Sequence, residues 1–237
     1  MEVAHLRVMP HVAPRCFVED DASAPLVRRS LAEGIGTMLL MVTVVGADIG
    51  GDGSQLASAV AVSGALIALI LAFGSVSGGH FNPVITIAQW RAGQREIDCM
   101  LWYVSAQIIG GIVGALVADL MFVAPPGLPL AELPGGGAIA SETLATFGLM
   151  MVVFCSSRSA SKVTGPFAVG LWLLGAILAT PTRSIANPAV AISLLASPSS
   201  ASILSVAAFL VVQFAAGSLA AQCSEFLYPP KGVEADT

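Results

Sequence analysis

The sequence predicts an all-α membrane protein with six transmembrane helices and two re-entrant half-helices, arranged as an inverted 3+3 repeat. Three observations lead to this fold class. Six apolar segments are long enough to cross a bilayer, two shorter apolar stretches each contain Asn-Pro, and the same order of elements occurs twice along the chain.

The composition suits a surface that faces lipid. Of the 237 residues, 56% are hydrophobic and 11% are charged, whereas soluble domains carry about 25% charged residues. The net charge of −5 argues against a nucleic-acid partner, which requires a basic face. The four cysteines are far apart and form no CxxC pair, so we expect neither a disulfide framework nor a metal site, and no cofactor.

Six segments have the roughly 20 mostly apolar residues that a transmembrane helix needs. They are rich in Gly, Ala and Ser, as at Gly64-Ala65, Gly110-Gly111 and Gly217-Ser218, and small residues let membrane helices approach closely. We expect the spans at about 29–49, 56–74, 98–123, 138–157, 163–180 and 202–226.

The domain boundaries follow from these spans. Residues 1–27, which include His5, His11 and Cys16, have no long apolar run and are expected to form a flexible cytoplasmic tail, not a signal peptide. The membrane domain is expected at 28–226, with one repeat at about 28–123 and the other at about 138–226. Residues 227–237 are expected to form a cytoplasmic C-terminal tail.

Two apolar stretches, 77–90 and 184–197, are too short to span and are candidates for re-entrant segments. Each contains Asn-Pro, at Asn82-Pro83 and Asn187-Pro188. Asn is a good helix N-cap, and Pro is favoured at the first helical position. Each stretch is therefore predicted to start a half-helix. Irregular backbone at membrane depth is tolerated only where protein buries it or water reaches it, which predicts a polar interior.

The basic residues predict the orientation. With six spans, most of them fall on the side that holds both termini, and only Arg183 falls on the other. The positive-inside rule predicts that both termini are cytoplasmic. We expect the protein to span the cell (inner) membrane. The residues that agree with this assignment are Arg28, Arg29, Arg91, Arg95, Arg158, Lys162 and Lys231.

An internal duplication supports the repeat. Glu33 and Thr37 in the first span match Glu142 and Thr146 in the fourth, and an Asn-Pro follows each Glu at a similar distance. Because each copy has three spans, the second copy is inverted in the membrane. Inverted repeats with broken helices that meet at the midplane are typical of transport proteins.

The two Asn-Pro turns are the predicted pore constriction. If the half-helices enter from opposite faces, their N-termini converge, each carrying roughly half a unit of positive charge, and together they repel cations and protons. The asparagine amides can also donate hydrogen bonds into the pore. The constriction residues are Asn82, Pro83, Val84, Asn187, Pro188 and Ala189.

Three ionisable residues leave alternatives open. Glu33 and Glu142 lie inside spans, where ionisable residues suggest function. Either they relay protons, or they are buried acceptors for loop N–H groups of the same half. Their presence in both copies favours the structural role. His80 either lines the cytoplasmic vestibule or bonds to loop backbone. Asp48, Asp52 and Glu132 are expected in outer loops.

The residues around both turns resemble a known family. Residues 77–86 (SGGHFNPVIT) closely resemble the first signature of the aquaporins, or major intrinsic proteins, residues 185–189 (IANPA) resemble the second, and residues 32–37 (AEGIGT) resemble the start of the first helix. The resemblance covers about 28–226. It implies six tilted helices with two half-helices, a homotetramer in the lipid bilayer, one pore per subunit, and passage of small neutral solutes.

Two positions depart from the family pattern. The first motif reads Asn-Pro-Val, so Val84 adds two methyl groups beneath the constriction. Where the family usually has an arginine, three residues after the second Asn, this chain has Val190. Carried over by spacing, the filter consists of Val62, Ile177, Ser184 and Val190, and it is apolar and wide. Arg183 either replaces the missing arginine or, as we favour, points to outer solvent.

Such a filter argues against a strict water channel. The resemblance is to bacterial, aquaglyceroporin-like members, including arsenic-associated ones that lack the filter arginine, so arsenite, glycerol and water are the expected solutes. The alternative is an ion-coupled secondary transporter with inverted repeats. An enzyme is not expected, because no HExxH or GxSxG occurs. A closed, structural member of the family is a further alternative.

Overall fold

Helices are the only regular secondary structure in the residues that the computed structural model describes, which are 16–50, 54–122, 133–157, 163–197 and 202–228. The predicted fold class is confirmed. The elements are α1 (Leu26–Gly50), α2 (Gln55–Ser77), α3 (Pro83–Arg91), α4 (Ile97–Phe122), α5 (Gly136–Ser156), α6 (Thr164–Ala179), α7 (Pro188–Ser193, continued by a 3-10 turn at Leu194–Ala196) and α8 (Ile203–Leu227).

Five of these helices, α1, α2, α4, α5 and α8, are long and apolar enough to cross a membrane. The sixth predicted span is α6, an apolar helix of 16 residues. At about 1.5 Å per residue it is about 24 Å long, somewhat less than the roughly 30 Å hydrocarbon core. Each span begins and ends within a few residues of its predicted position.

The two repeats have the same internal packing. α1 lies along α4 in the first repeat, α5 lies along α8 in the second, and α2 meets α6 between them. At Gly110, an added Cβ would overlap the carbonyl oxygen of Gly34, so glycine is required for the close approach of α1 and α4. Gly64 is different, because it is exposed and its added Cβ would meet no described atom within 4 Å; the expected packing role does not apply there.

The half-helices α3 and α7 each pack against both α4 and α8, so each one contacts its own repeat and the other. Each is capped by its asparagine and has proline in its first turn. This placement brings the two helix starts together in the middle of the bundle.

The segment before α1 differs from the expectation. Cys16 and Phe17 were expected within a flexible tail, but they are 3% and 5% exposed and belong to the apolar core. No local apolar pattern marks this segment, because its contacts are with residues far along the chain. His5, His11, Asp52, Glu132, Arg158, Lys162 and Lys231 lie outside the described residues.

Candidate functional site

Each Asn-Pro turn is built by one side-chain cap. Asn82 and Asn187 have extended backbone, with φ of −150° and −154°. The Oδ1 atom of Asn82 accepts a hydrogen bond from the N–H of Val84 at 2.9 Å, and that of Asn187 accepts one from Ala189 at 3.0 Å. The carbonyl side of each amide is therefore used locally, which leaves the NH₂ group to face elsewhere.

The two NH₂ groups cross between the repeats. Asn82 Nδ2 donates to the carbonyl oxygen of Ala186 at 2.9 Å, and Asn187 Nδ2 donates to that of Phe81 at 2.8 Å. Each amide has two N–H bonds, and among the described residues these contacts use one of them. The second N–H of each asparagine is available to the space between the turns.

The residues just before the caps have left-handed backbone. Phe81 has φ of 48° and Ala186 has φ of 43°, a conformation that costs an L-residue roughly 1–2 kcal/mol. Neither residue is glycine, so other contacts must hold the chain there.

Glu33 holds the first loop. Its Oε1 accepts from the N–H of His80 at 2.9 Å and from Ser77 Oγ at 2.6 Å. Its Oε2 accepts from the N–H of Phe81 at 2.7 Å and from Gln107 Nε2 at 2.8 Å. The carboxylate is fully buried, and four donors use about all of its acceptor sites.

Glu142 holds the second loop in the same way. Its Oε1 accepts from the N–H of Ile185 at 3.0 Å and from Thr182 Oγ1 at 2.5 Å. Its Oε2 accepts from the N–H of Ala186 and from Gln213 Nε2, both at 2.8 Å. Of the two alternatives for Glu33 and Glu142, these contacts fit the loop acceptor, because donors of the protein itself surround both carboxylates.

A cavity of about 550 Å³ runs past both asparagines. It is lined at one end by Phe17 and His80 and at the other by Asp48 and Arg183, and these are called the Phe17 end and the Arg183 end below. Between them its wall is largely apolar and includes Leu40, Leu66, Ile70, Leu149, Val169 and Leu173.

The length of this passage can be judged along α1. Arg29 on α1 pairs with the segment that carries Phe17, and Asp48 on α1 pairs with Arg183. At about 1.5 Å of rise per residue these two positions are about 28 Å apart. The cavity thus extends over most of the thickness of a membrane core.

All four residues that spacing assigns to the filter line this cavity: Val62, Ile177, Ser184 and Val190. Val190 is buried and packs with Met41. The Oγ of Ser184 is buried with no hydrogen-bond partner among the described residues. Three of these four lining residues are therefore apolar, and the fourth carries an unpaired hydroxyl.

The other residues of the Asn-Pro motifs are not part of the cavity wall. Among the described residues, the lining includes Asn82 and Asn187 but not Pro83, Val84, Pro188 or Ala189. Val84 instead packs on α8, where an added Cβ on Gly217 would overlap its Cγ1 atom. The expectation that its methyl groups project beneath the constriction does not fit this placement. Its position in the helix turns it toward α8.

His80 lines the cavity, but its ring does not bond to backbone of its own loop. Its Nδ1 lies 3.0 Å from Thr86 Oγ1 in α3, and its Nε2 lies 3.1 Å from the carbonyl oxygen of Phe17 before α1. A carbonyl oxygen only accepts, so the contact with Phe17 assigns the hydrogen to Nε2. Arg95 Nη2, 3.4 Å from the same nitrogen, donates to Glu19 and Ser77 instead. The imidazole is a fixed part of the wall.

Arg183 lies at its end of the cavity and is paired with Asp48. The side chains are 48% and 47% exposed, so both face solvent and neither is enclosed in the cavity wall. Asp48 lies in the last turn of α1 instead of the expected loop. The pairing gives the guanidinium of Arg183 a carboxylate partner on α1.

Comparison with known proteins identifies the family. Residues 21–186 match the family model described as Major intrinsic protein. The chain belongs to this family. The match ends just before Asn187, so the second Asn-Pro turn is an observation independent of it.

Individual members of the major intrinsic protein family give the same result. The chain is 35% identical to aquaglyceroporin AqpS of Rhizobium meliloti (strain 1021) over 177 residues, which cover 71% of this chain and 75% of that protein. It is 30% identical to aquaporin Z of Photorhabdus laumondii over 192 residues, covering 69% and 81%.

A solved structure of the family shows the same fold. The X-ray structure of the aquaglyceroporin from Plasmodium falciparum superposes with a TM-score of 0.72, at 18% sequence identity, and covers 86% of this chain and 98% of that one. Together with the apolar helices, these findings make the chain a multi-pass membrane protein of a family of channels.

Proposed function

We propose that this chain is a passive channel for small uncharged solutes, with an atypical apolar filter formed by Val62, Ile177, Ser184 and Val190. The candidate solutes are a metalloid acid such as arsenite in its undissociated form, glycerol, and water. The observation that supports this is the filter itself: Val190 lines the cavity where the family usually has an arginine, and Arg183 is paired with Asp48.

The chemistry of the filter favours neutral solutes larger than water. A side chain as long as arginine would occupy part of the passage and present up to five N–H donors, whereas valine leaves that space open. The hydroxyl of Ser184 offers a hydrogen-bond partner to a solute that carries hydroxyl groups. Glycerol and arsenous acid both carry three such groups, and two of the compared proteins have aquaglyceroporin as their name.

The centre of the cavity supports exclusion of ions. The starts of α3 and α7 meet there, and each contributes partial positive charge. Each asparagine keeps one N–H for a solute. The bonds around Glu33 and Glu142 support passive flow over ion coupling, because neither carboxylate has acceptor capacity left for a transported ion.

We extend the proposal to the setting of the channel. Both termini are cytoplasmic in the inner membrane, by the distribution of basic residues, which makes the Phe17 end the cytoplasmic one. The unit is a homotetramer with one pore per subunit, by family resemblance. Large apolar side chains on the outside, such as Trp102, Leu120 and Phe226, suit contact with lipid or with neighbouring subunits.

The test is flux into vesicles. Purified protein in liposomes is mixed in a stopped-flow instrument with hyperosmotic arsenous acid, glycerol or an impermeant sugar. Shrinkage in the sugar reports water flux, re-swelling in the other two reports entry of the solute, and both are compared with those of empty liposomes. We expect faster water flux and faster entry of both solutes, with a low activation energy and no response to an imposed proton gradient. Flux equal to that of empty liposomes for all three would reject the channel, and dependence on the gradient would favour a coupled transporter.

A further inference from the structure

The segment before α1 contributes to the wall of the passage although it lies outside both repeats. Phe17 lines the cavity at its Phe17 end together with His80. Its ring lies beside the start of α6, where Cε2 is 3.2 Å from the position of an added Cβ on Gly165. Residues 16–21 are called the N-terminal strap below.

The backbone of the strap is bonded to the loop region of the first half-helix. The carbonyl oxygen of Phe17 accepts from His80 Nε2 at 3.1 Å and from Gln89 Nε2 at 2.8 Å. Phe17 has φ of 63°, which is rare for a bulky residue. A conformation of this kind persists where surrounding contacts determine it, so the placement of Phe17 is specified and not incidental.

An acid in the strap forms a second attachment. Glu19 Oε1 pairs with Arg29 Nη1 at 2.7 Å, and Glu19 Oε2 pairs with Arg95 Nη2 at 2.6 Å. Arg95 also donates to the carbonyl oxygen of Ser77 at 3.2 Å and to Gln89 Oε1 at 2.7 Å. Glu19 therefore connects the strap to α1 and to the residues on both sides of α3.

These charges are enclosed. The side chains of Glu19 and Arg95 are 5% and 2% exposed. Burial alone would lower the pKa of Arg95, but the hydrogen bonds and charge of Glu19 outweigh it and raise that pKa above its usual value. A buried carboxylate that bridges two guanidinium groups is an attachment whose loss leaves charges unpaired in the interior. Together with the bond from the N–H of Asp20 to the carbonyl oxygen of Ser75 at 2.9 Å, this attachment holds the strap in place.

We propose that the N-terminal strap narrows the Phe17 end of the channel, with Phe17 as the residue that sets the permeability of that end and Glu19 as the latch that keeps it in place. The proposal rests on the channel function but holds for any of the candidate solutes. It makes the segment before the first helix a regulatory part of the pore.

The experiment uses four single variants and one double variant of the full chain in liposomes, with glycerol and water permeability as the readouts. Phe17→Ala removes the ring and should raise glycerol permeability several-fold, whereas Phe17→Trp enlarges it and should lower permeability below that of the wild type. Glu19→Gln weakens the latch and should raise permeability as Phe17→Ala does. Asp21→Asn is the control: the same change of acid to amide at an exposed position of the strap, whose carboxylate bonds to Ser23.

Two comparisons separate a role in the passage from a role in folding. A purely structural Phe17 would give reduced flux in both substitutions, while the proposal requires opposite signs. Glu19→Gln added to Phe17→Ala should give no further increase, because the released strap no longer carries a ring. Hydrogen exchange at residues 16–21 should be faster in Glu19→Gln and unchanged in Asp21→Asn.

The outcomes distinguish this inference from the channel itself. Wild-type flux equal to that of empty liposomes would reject the channel. Wild-type flux above that level, with Phe17→Ala and Phe17→Trp both equal to the wild type or both below it, would reject the strap alone. A change in permeability caused by Asp21→Asn that equals the change caused by Glu19→Gln would also overturn the proposal. The effect would then not depend on the ion pairs of Glu19.

Discussion

Replacing Glu33 by glutamine tests how the first Asn-Pro loop is held. The glutamine places an NH₂ group, which cannot accept a hydrogen bond, at one of the two oxygen positions. At the Oε1 position it would face Ser77 Oγ and the N–H of His80. At the Oε2 position it would face the N–H of Phe81 and Gln107 Nε2. The first choice is less damaging, because the hydroxyl of Ser77 can rotate and accept. Even then one buried backbone N–H loses its partner.

The magnitude follows from these losses. An unpaired buried donor costs about 1–3 kcal/mol, and hydrogen bonds to a charged group contribute about 1.5–3 kcal/mol each. The amide is less costly to bury than the carboxylate, which offsets part of this. We expect Glu33→Gln to lower the free energy of unfolding by about 2–4 kcal/mol. Ser77→Ala, which removes one donor and leaves the carboxylate, should cost about 1 kcal/mol.

The assay is reversible denaturant unfolding in detergent micelles, combined with water flux in liposomes. Glu142→Gln in the second repeat should match Glu33→Gln, because its four bonds correspond one to one. A loss below about 0.5 kcal/mol for Glu33→Gln, or a loss for Ser77→Ala as large as that for Glu33→Gln, would refute the acceptor account. Intact stability with altered response to a proton gradient would instead support a proton relay.

Three further predictions concern the filter, α8 and the Arg183 end. Val190→Arg should narrow the filter and reduce glycerol and arsenous acid flux more than water flux. Val190→Met, which is similar in length but uncharged, separates the effect of size from that of charge. An equal reduction of flux for all solutes would contradict the filter assignment. Gly217→Ala should destabilise the protein by about 1–3 kcal/mol, because the added methyl group overlaps Val84. Adding Val84→Ala should restore most of the thermal stability. A double variant that is no more stable than Gly217→Ala alone would show that the overlap is not the cause. Asp48→Asn should lower the free energy of unfolding by less than about 1 kcal/mol, because the ion pair with Arg183 is half exposed. A larger loss in the same denaturant assay would contradict the interpretation of this pair as a weak, solvent-exposed one.

The elements with local causes were predictable from the sequence. An apolar run longer than the bilayer core predicts a span regardless of its neighbours, and Asn followed by Pro predicts a helix start through the chemistry of the cap. For this reason the sequence predicts Asn82 and Asn187 at the starts of the half-helices, and they are the N-caps of α3 and α7. Comparison of the two repeats also indicated that Glu33 and Glu142 have equivalent roles.

The parts that depend on tertiary contacts were not predictable in the same way. Whether Val84 faces the passage or α8 depends on the absence of a side chain at Gly217, far along the chain. Gln107 and Gln213, which complete the two carboxylate sites, were missed, although their matching positions in α4 and α8 are a signal that an alignment of the halves could reveal. The strap was missed because ion pairs of Glu19 with Arg29 and Arg95 leave no periodic pattern.

The crossed bonds of the two asparagines have a consequence for how the molecule is assembled. Each half supplies the donor for a carbonyl oxygen of the other, at Ala186 and at Phe81, so a half inserted alone would hold an unsatisfied carbonyl and an unused amide at membrane depth. The passage is therefore a joint product of both halves. Its wall includes Phe209 of α8, so the passage is complete only when the last helix has packed against the first half.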